Sequence, residues 1–281
     1  MTMRLRIDLG YDGQAFSGWA KQPDRPSVQD SLESALATVL RVERDQVRTV
    51  VAGRTDAGVH AVGQVCHVDL PEGLGVRLED ANELARLTKR LRGALGKDNH
   101  VWIHEVLAAP EGFDARFSPV ARRYEYRIAD SQALRDPRHA GHTVWRDEDL
   151  DMASMNSLGQ ALLGLHDFAA FCRAREGATT IRELQEFSWL RDEQDVLVGR
   201  VVADAFCHSM VRSLVGSAVA VGAGQLFTDD VLRLRQEGAR TSAWKTMPAH
   251  GLTLMEIYYP DPGHLAERAE QTRAPRCLPA D

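Results

Sequence analysis

Cysteine is scarce in this chain and badly spaced for the usual uses. Cys66, Cys172, Cys207 and Cys277 lie far apart with no CxxC pair. That pattern does not read as a zinc site, and a disulfide framework is not expected at this length. Long apolar runs are also missing. The longest, around Leu214 to Gly224, is too short and too rich in small residues to span a bilayer. Met1-Thr2-Met3-Arg4 leads straight into a strand pattern, with no apolar signal core ahead of it. These absences together predict a reduced, cytosolic protein.

Positive charge is in deficit as well. Lysine and arginine number 34 against 40 aspartates and glutamates, for a formal net charge of −6. Taken alone this argues against a nucleic-acid partner, because phosphate contacts need local positive potential. No phosphate loop is present: Gly222-Ala223-Gly224 follows a helical stretch and does not open one. His100 and His104 lie on or near one strand with no matching cysteine or carboxylate pattern, so they read as non-ligands.

Distribution matters more than the total. Arg116, Arg122, Arg123, Arg127, Arg135 and Arg138 stand close together against only Glu125, Asp130 and Asp136. A second basic cluster is Arg86, Lys89, Arg90 and Arg92. Either cluster by itself is the ordinary signature of a solvated face. They permit an RNA surface without establishing one.

A chain of 281 residues is expected to form two domains. Leu5, Ile7, Leu9 and Tyr11 alternate with Arg4, Arg6 and Asp8, which is strand periodicity. Ser27 with Asp30 makes a capping-box-like start for a helix carrying Val28, Leu32, Ala35, Leu36, Val39 and Leu40. Strand candidates follow at 47–52 and 62–70, a helix around Leu84, Leu87 and Leu91, and a strand at 101–107. The order is β-α-β-β-α-β, the ferredoxin-like arrangement. The second half looks like an elaborated copy, with a strand at 122–128, a helix at 150–163, a strand pair at 183–190 and 196–203, a helical stripe from Phe206 to Val219 and a closing strand at 252–259. The predicted fold class is α+β: two ferredoxin-like halves with antiparallel sheets. The predicted boundaries are 1–110, 111–262 and a peripheral, loosely ordered tail at 263–281.

The segment richest in chemistry is Gly53-Arg54-Thr55-Asp56-Ala57-Gly58-Val59-His60-Ala61, a loop between two strand candidates. A lone carboxylate presented this way can serve as a nucleophile that forms a covalent intermediate. It can equally cap backbone N–H groups of a turn while Arg54 neutralises it. From spacing alone the turn is the stronger reading.

That nine-residue string is identical to the active-site motif of the tRNA pseudouridine synthases of the TruA family, and the resemblance extends along the chain. Tyr11-Asp12-Gly13 with Phe16-Ser17-Gly18-Trp19 resembles the family's N-terminal pattern. Phe113-Asp114-Ala115-Arg116-Phe117-Ser118 and Arg122-Arg123-Tyr124 resemble its central segment. His166-Asp167-Phe168, Ala205-Phe206 with Met210-Val211-Arg212, and Pro248 with His250-Gly251-Leu252 resemble its second domain. Trp244-Lys245-Thr246-Met247 departs from the family, whose members often carry small residues there. The departure bears on packing at the pocket edge.

The resemblance implies a pseudouridine-synthase core that isomerises uridine in the anticodon stem-loop of tRNA. The N1–C1′ bond breaks, the base rotates and a bond from C5 replaces it, with no cofactor and no metal. By the same resemblance Asp56 is the nucleophile, Tyr124 stacks on the uracil, and Arg212 pairs with the catalytic carboxylate. Leu252 floors the pocket, and Arg54 helps extrude the nucleotide or holds Asp56 without RNA. A homodimer is implied too. On the same reading His60 supports the loop, since the isomerisation needs no second base, and Arg116, Arg122 and Arg123 face RNA because their strip leads into Tyr124, the implied stacking residue. Two rivals stay open: a metal-dependent hydrolase with an aspartyl nucleophile, and a non-catalytic RNA-binding module with a ferredoxin-like fold.

Overall fold

The computed structural model describes residues 3–274 apart from 72, 75, 98 and 174–178. The chain divides into two compact units, Met1–Val120 with Leu254–Ala274, and Ala121–Thr253. The division therefore falls at 120 and 253, and not at the expected 110 and 262.

In the first unit, β1 (Met3–Tyr11) pairs antiparallel with β3 (His60–Leu70) on one side and with β4 (Val101–Ala108) on the other. The short β2 (Thr49–Val51) pairs with β3 from Thr49↔Val68 to Val51↔Cys66. β10 (Leu252–Tyr258) continues the sheet beyond β3. Helices α1 (Val28–Leu40) and α2 (Ala81–Leu95) pack together and cover β4. Alternation in β1 turns Leu5, Ile7 and Leu9 fully inward. Ser27 caps α1 by accepting the Asp30 N–H, and Asp80 caps α2 by accepting from Asn82 and Glu83.

The tail proves to be structured where it is described. Helix α6 (Leu265–Arg273) buries Leu265 and Ala269. The Ser118 hydroxyl donates to the Leu265 carbonyl at 3.0 Å, Arg268 reaches the Pro119 carbonyl at 3.3 Å, and Arg273 reaches Asp114 at 2.9 Å. These bonds hold residues 113–119 in the first unit, which moves the boundary past 110.

In the second unit the antiparallel order is β5 (Ala121–Ala129), β9 (Leu197–Ala203), β8 (Ile181–Arg191) and β7 (Gly164–Asp167), with β6 (Val144–Trp145) parallel to β5. Helix α3 (Met152–Ala161) packs on β8 and on α4 (Met210–Gly222); α5 (Thr228–Gln236) packs on α3. The helical stripe therefore starts at Met210, with Phe206 and Cys207 in the loop before it. Asp130 is fully buried, paired with Arg191 at 2.7 Å and accepting from the Leu150 N–H. Burial pushes this carboxyl up, but Arg191 and the backbone N–H groups of Gln132 and Leu150 together hold it below its usual range.

One expectation is overturned here. Cys172 and Cys207 form a disulfide, with Cα atoms 5.9 Å apart. The two are 35 residues apart in sequence, so spacing carried no hint of it. The fold brings the end of a short 3-10 turn (Ala169–Phe171) beside the loop that leads into α4, where the Arg173 N–H donates to the His208 carbonyl at 3.1 Å.

Candidate active site

In the first unit the loop carrying Asp56 joins β2 to β3, and the N-terminal motif is built against it. The Thr55 hydroxyl shares a 2.8 Å hydrogen bond with the Tyr11 hydroxyl, both buried. Gln64, wholly buried on β3, donates to the Gly53 carbonyl at 2.8 Å and to the Tyr11 hydroxyl at 3.1 Å. The Trp19 N–H donates to the Thr55 carbonyl at 3.1 Å. The Tyr11 and Trp19 rings lie 6.0 Å apart. Residues on both sides of Asp56 are thus tied down, and the Val59 N–H closes the turn onto the Asp56 carbonyl at 3.2 Å. Asp56 itself is half-buried and Arg54 is exposed.

Gly13 meets the same loop from the other side. A Cβ there would stand 2.0 Å from the Val59 carbonyl oxygen, so only glycine lets the two backbones approach this closely. The Gly13 N–H donates to His60 Nδ1 at 3.2 Å, and Asp12 lies 3.2 Å from the same nitrogen. His60 stands between the Asp12-Gly13 turn and the loop.

In the second unit Tyr124 is 7% exposed on β5, with Phe206 edge-on at 5.1 Å. Arg212, on the first turn of α4, is half-buried. It donates to the Met247 carbonyl at 3.2 Å and lies 3.3 Å from the Ser209 hydroxyl, and its own carbonyl accepts the Met247 N–H. Leu252 is 5% exposed at the start of β10. Tyr126 donates to the Pro248 carbonyl at 2.8 Å. Arg212 and Tyr126 therefore hold adjacent points of the Met247–Pro248 stretch that precedes Leu252.

The departing segment has a packing role. Trp244 is buried, stacks on Phe171 at 5.0 Å and donates to the Ser213 hydroxyl at 2.9 Å. Gly216 of α4 admits it closely: a Cβ there would be 2.0 Å from the Lys245 carbonyl.

The three arginines expected at an RNA surface separate. Arg116 is exposed, with its guanidinium 4.9 Å from the Phe117 ring. Arg122 shares a face of β5 with Tyr124 and Tyr126, as alternation implied, but that face is the covered one. Its side chain donates to the Asp204 carbonyl at 2.6 Å. Arg123, on the opposite face, pairs with Glu125 at 2.7 Å.

A family model described as tRNA pseudouridine synthase matches residues 159–260. A tRNA pseudouridine synthase A of Leifsonia xyli subsp. xyli is 53% identical, over 98% of this chain and 98% of its own length. The chain belongs to the tRNA pseudouridine synthase A family.

A second member, from Streptomyces avermitilis, is 48% identical over 99% of this chain and 95% of its own. A crystal structure of a Cbf5-Nop10-Gar1 complex aligns at 12% identity with a TM-score of 0.33, over 76% of this chain and 54% of that chain. The family-model match falls outside the Asp56 loop, whereas the full-length relatives span it. Sequence reasoning did not single out Gln64, which braces the loop. Its signal was a lone amide within the apolar run of β3.

Proposed function

We propose that this chain isomerises uridine to pseudouridine in the anticodon stem-loop of tRNA, on the 3′ side of the stem and loop, with Asp56 as the nucleophile. The observation that carries the reading is the construction of the Asp56 loop. Tyr11, Trp19 and Gln64 tie Gly53 and Thr55 down on either side of the half-buried Asp56. A carboxylate needed only to cap a turn does not require bracing from two other strands. Full-length similarity to proteins named tRNA pseudouridine synthase A supports the same reading. Tyr124, Leu252, Arg54 and Arg212 keep the substrate-binding roles implied by the resemblance.

Arg116 is the member of the basic strip proposed to meet phosphate. Arg122 and Arg123 act through the backbone and Glu125. The first unit's strand order, β4-β1-β3-β2 with both helices packed on it, supports a ferredoxin-like half, and the second is read as its elaborated counterpart. The working protein is a homodimer in the cytoplasm, where its tRNA substrate resides. Among the described residues no helix is long and apolar enough to cross a membrane.

The deciding experiment is tritium release from tRNA labelled at uracil C5, since formation of the new carbon–carbon bond expels that hydrogen. Release by the purified protein in EDTA is expected. Absence of release, with tRNA bound, would favour the non-catalytic binding module. Release that depends on a metal bound to the protein would favour the hydrolase-like alternative.

A further inference from the structure

We propose that the solvent face of α2 is a second RNA-contact surface, which docks the phosphate backbone of the substrate tRNA away from the modified base. The inference rests on the pseudouridine-synthase reading above. It uses a cluster the catalytic site leaves unexplained. Arg86 and Lys89 are exposed on α2, three residues apart on one face, while the neighbouring Arg90, also exposed, turns its guanidinium onto the Val39 carbonyl. Lys97, just past the helix, is exposed as well. Arg86 and Lys89 have no ion-pair partner among the described residues. The acidic residue of α2, Glu83, is taken up by Arg77 at 3.1 Å.

The surface continues round the sheet edge. Arg92 leaves α2 and donates to the Ile103 carbonyl at 2.7 Å and the His104 carbonyl at 2.8 Å. That places its guanidinium 4.8 Å from the ring of Trp102, which is 57% exposed. A cation stacked on an exposed indole is a platform for a nucleotide, since bases and sugars stack on aromatic faces while the guanidinium meets phosphate.

The surface is also in the right place within its unit. The loop from β2 to β3 that carries Asp56 lies at the end of the sheet where β1 stops, at Tyr11↔Ala61. β4 begins at that same end, at Tyr11↔Val101, and the C-terminus of α2 leads into it. The stripe from Lys97 back to Arg86 therefore starts at the catalytic end and runs away from it. Arg86 to Leu95 covers about 14 Å of helix. An RNA with one base at Asp56 has a run of positive charge along which to lay its backbone. On a chain with net charge −6, such a local run is what a polyanion requires.

The test is binding and turnover of full-length tRNA by the intact protein. Arg86→Ala/Lys89→Ala replaces two exposed residues with a good helix former, so the fold is retained. The slope of log affinity against log salt is expected to fall by about two, one for each phosphate contact. KM for tRNA is expected to rise severalfold with kcat at saturation preserved. Arg86→Lys/Lys89→Arg, which keeps both charges, restores the wild-type slope. An unchanged slope in the alanine variant, with the wild type active, overturns the proposal and leaves the cluster as a solvated face. A change in oligomeric state without a change in slope also overturns it, and makes α2 a protein–protein contact. If the wild type itself forms no pseudouridine, the functional reading fails, independently of the slope comparison.

Discussion

At the scale of single residues, Asp56 is the proposed nucleophile. Its neighbours Gly53, Thr55 and Val59 make the bonds that shape the loop. Asp56→Asn is therefore expected to lower pseudouridine formation by more than about a thousandfold, on the scale seen when an enzyme loses its nucleophile. Melting temperature and tRNA affinity should stay close to wild type, by calorimetry and filter binding; substantial activity in the purified variant would reject the assignment. His67 gives a pH test. It is 3% exposed, edge-on to Phe113, and its Nδ1 accepts the Ala115 N–H at 3.0 Å. Burial, helped by Arg4 and opposed by Asp114 and Asp69, holds its pKa down to about 4. The folded state thus prefers the neutral ring. Its contribution is complete above the unfolded value of about 6.5 and is lost as pH falls toward 4. His67→Gln, which can still accept the Ala115 N–H, is expected to show a smaller fall in melting temperature between pH 6.5 and 4. A fall as steep as that of the wild type would remove His67 as the cause.

At the scale of elements, α4 depends on close approach. Gly216→Ala forces a methyl onto the Lys245 carbonyl and should cost about 1–3 kcal/mol in urea unfolding, the usual range for overpacking. A variant as stable as wild type would show that the 244–247 segment can move off the helix. The same segment shows where reading by element succeeds and where it stops. The strand β1, the capped start of α1 and the helix α2 were legible because period and caps are local properties. Alternation in β5 grouped Arg122 with Tyr124, and the structure places both on the covered face of the strand. A period of two defines two faces, and only the packing partners decide which one is covered. Trp244, in the segment that departs from the family, stacks on Phe171, donates to the Ser213 hydroxyl and is core.

At the scale of the whole molecule, the Cys172–Cys207 bond closes a loop whose ends are 35 residues apart. Protein unfolded without reductant should expose two fewer thiols than protein unfolded after reduction, by thiol titration. Equal counts would show that the pair stays reduced in solution. Subunit number is a separate question. Light scattering is expected to give twice the mass of 31.2 kDa. A fully active monomer would refute the dimer.

Also at this scale, the sequence alone determined the β-α-β-β-α-β order of the first unit, the Asp56 loop and the family, because each is written in contiguous residues. The rest depended on residues far apart in the chain meeting. The disulfide, the docking of α6 on residues 113–119, the burial of Arg122 and the bracing of the Asp56 loop by Tyr11 all join such positions. Each is decided by packing geometry, which no local periodicity encodes.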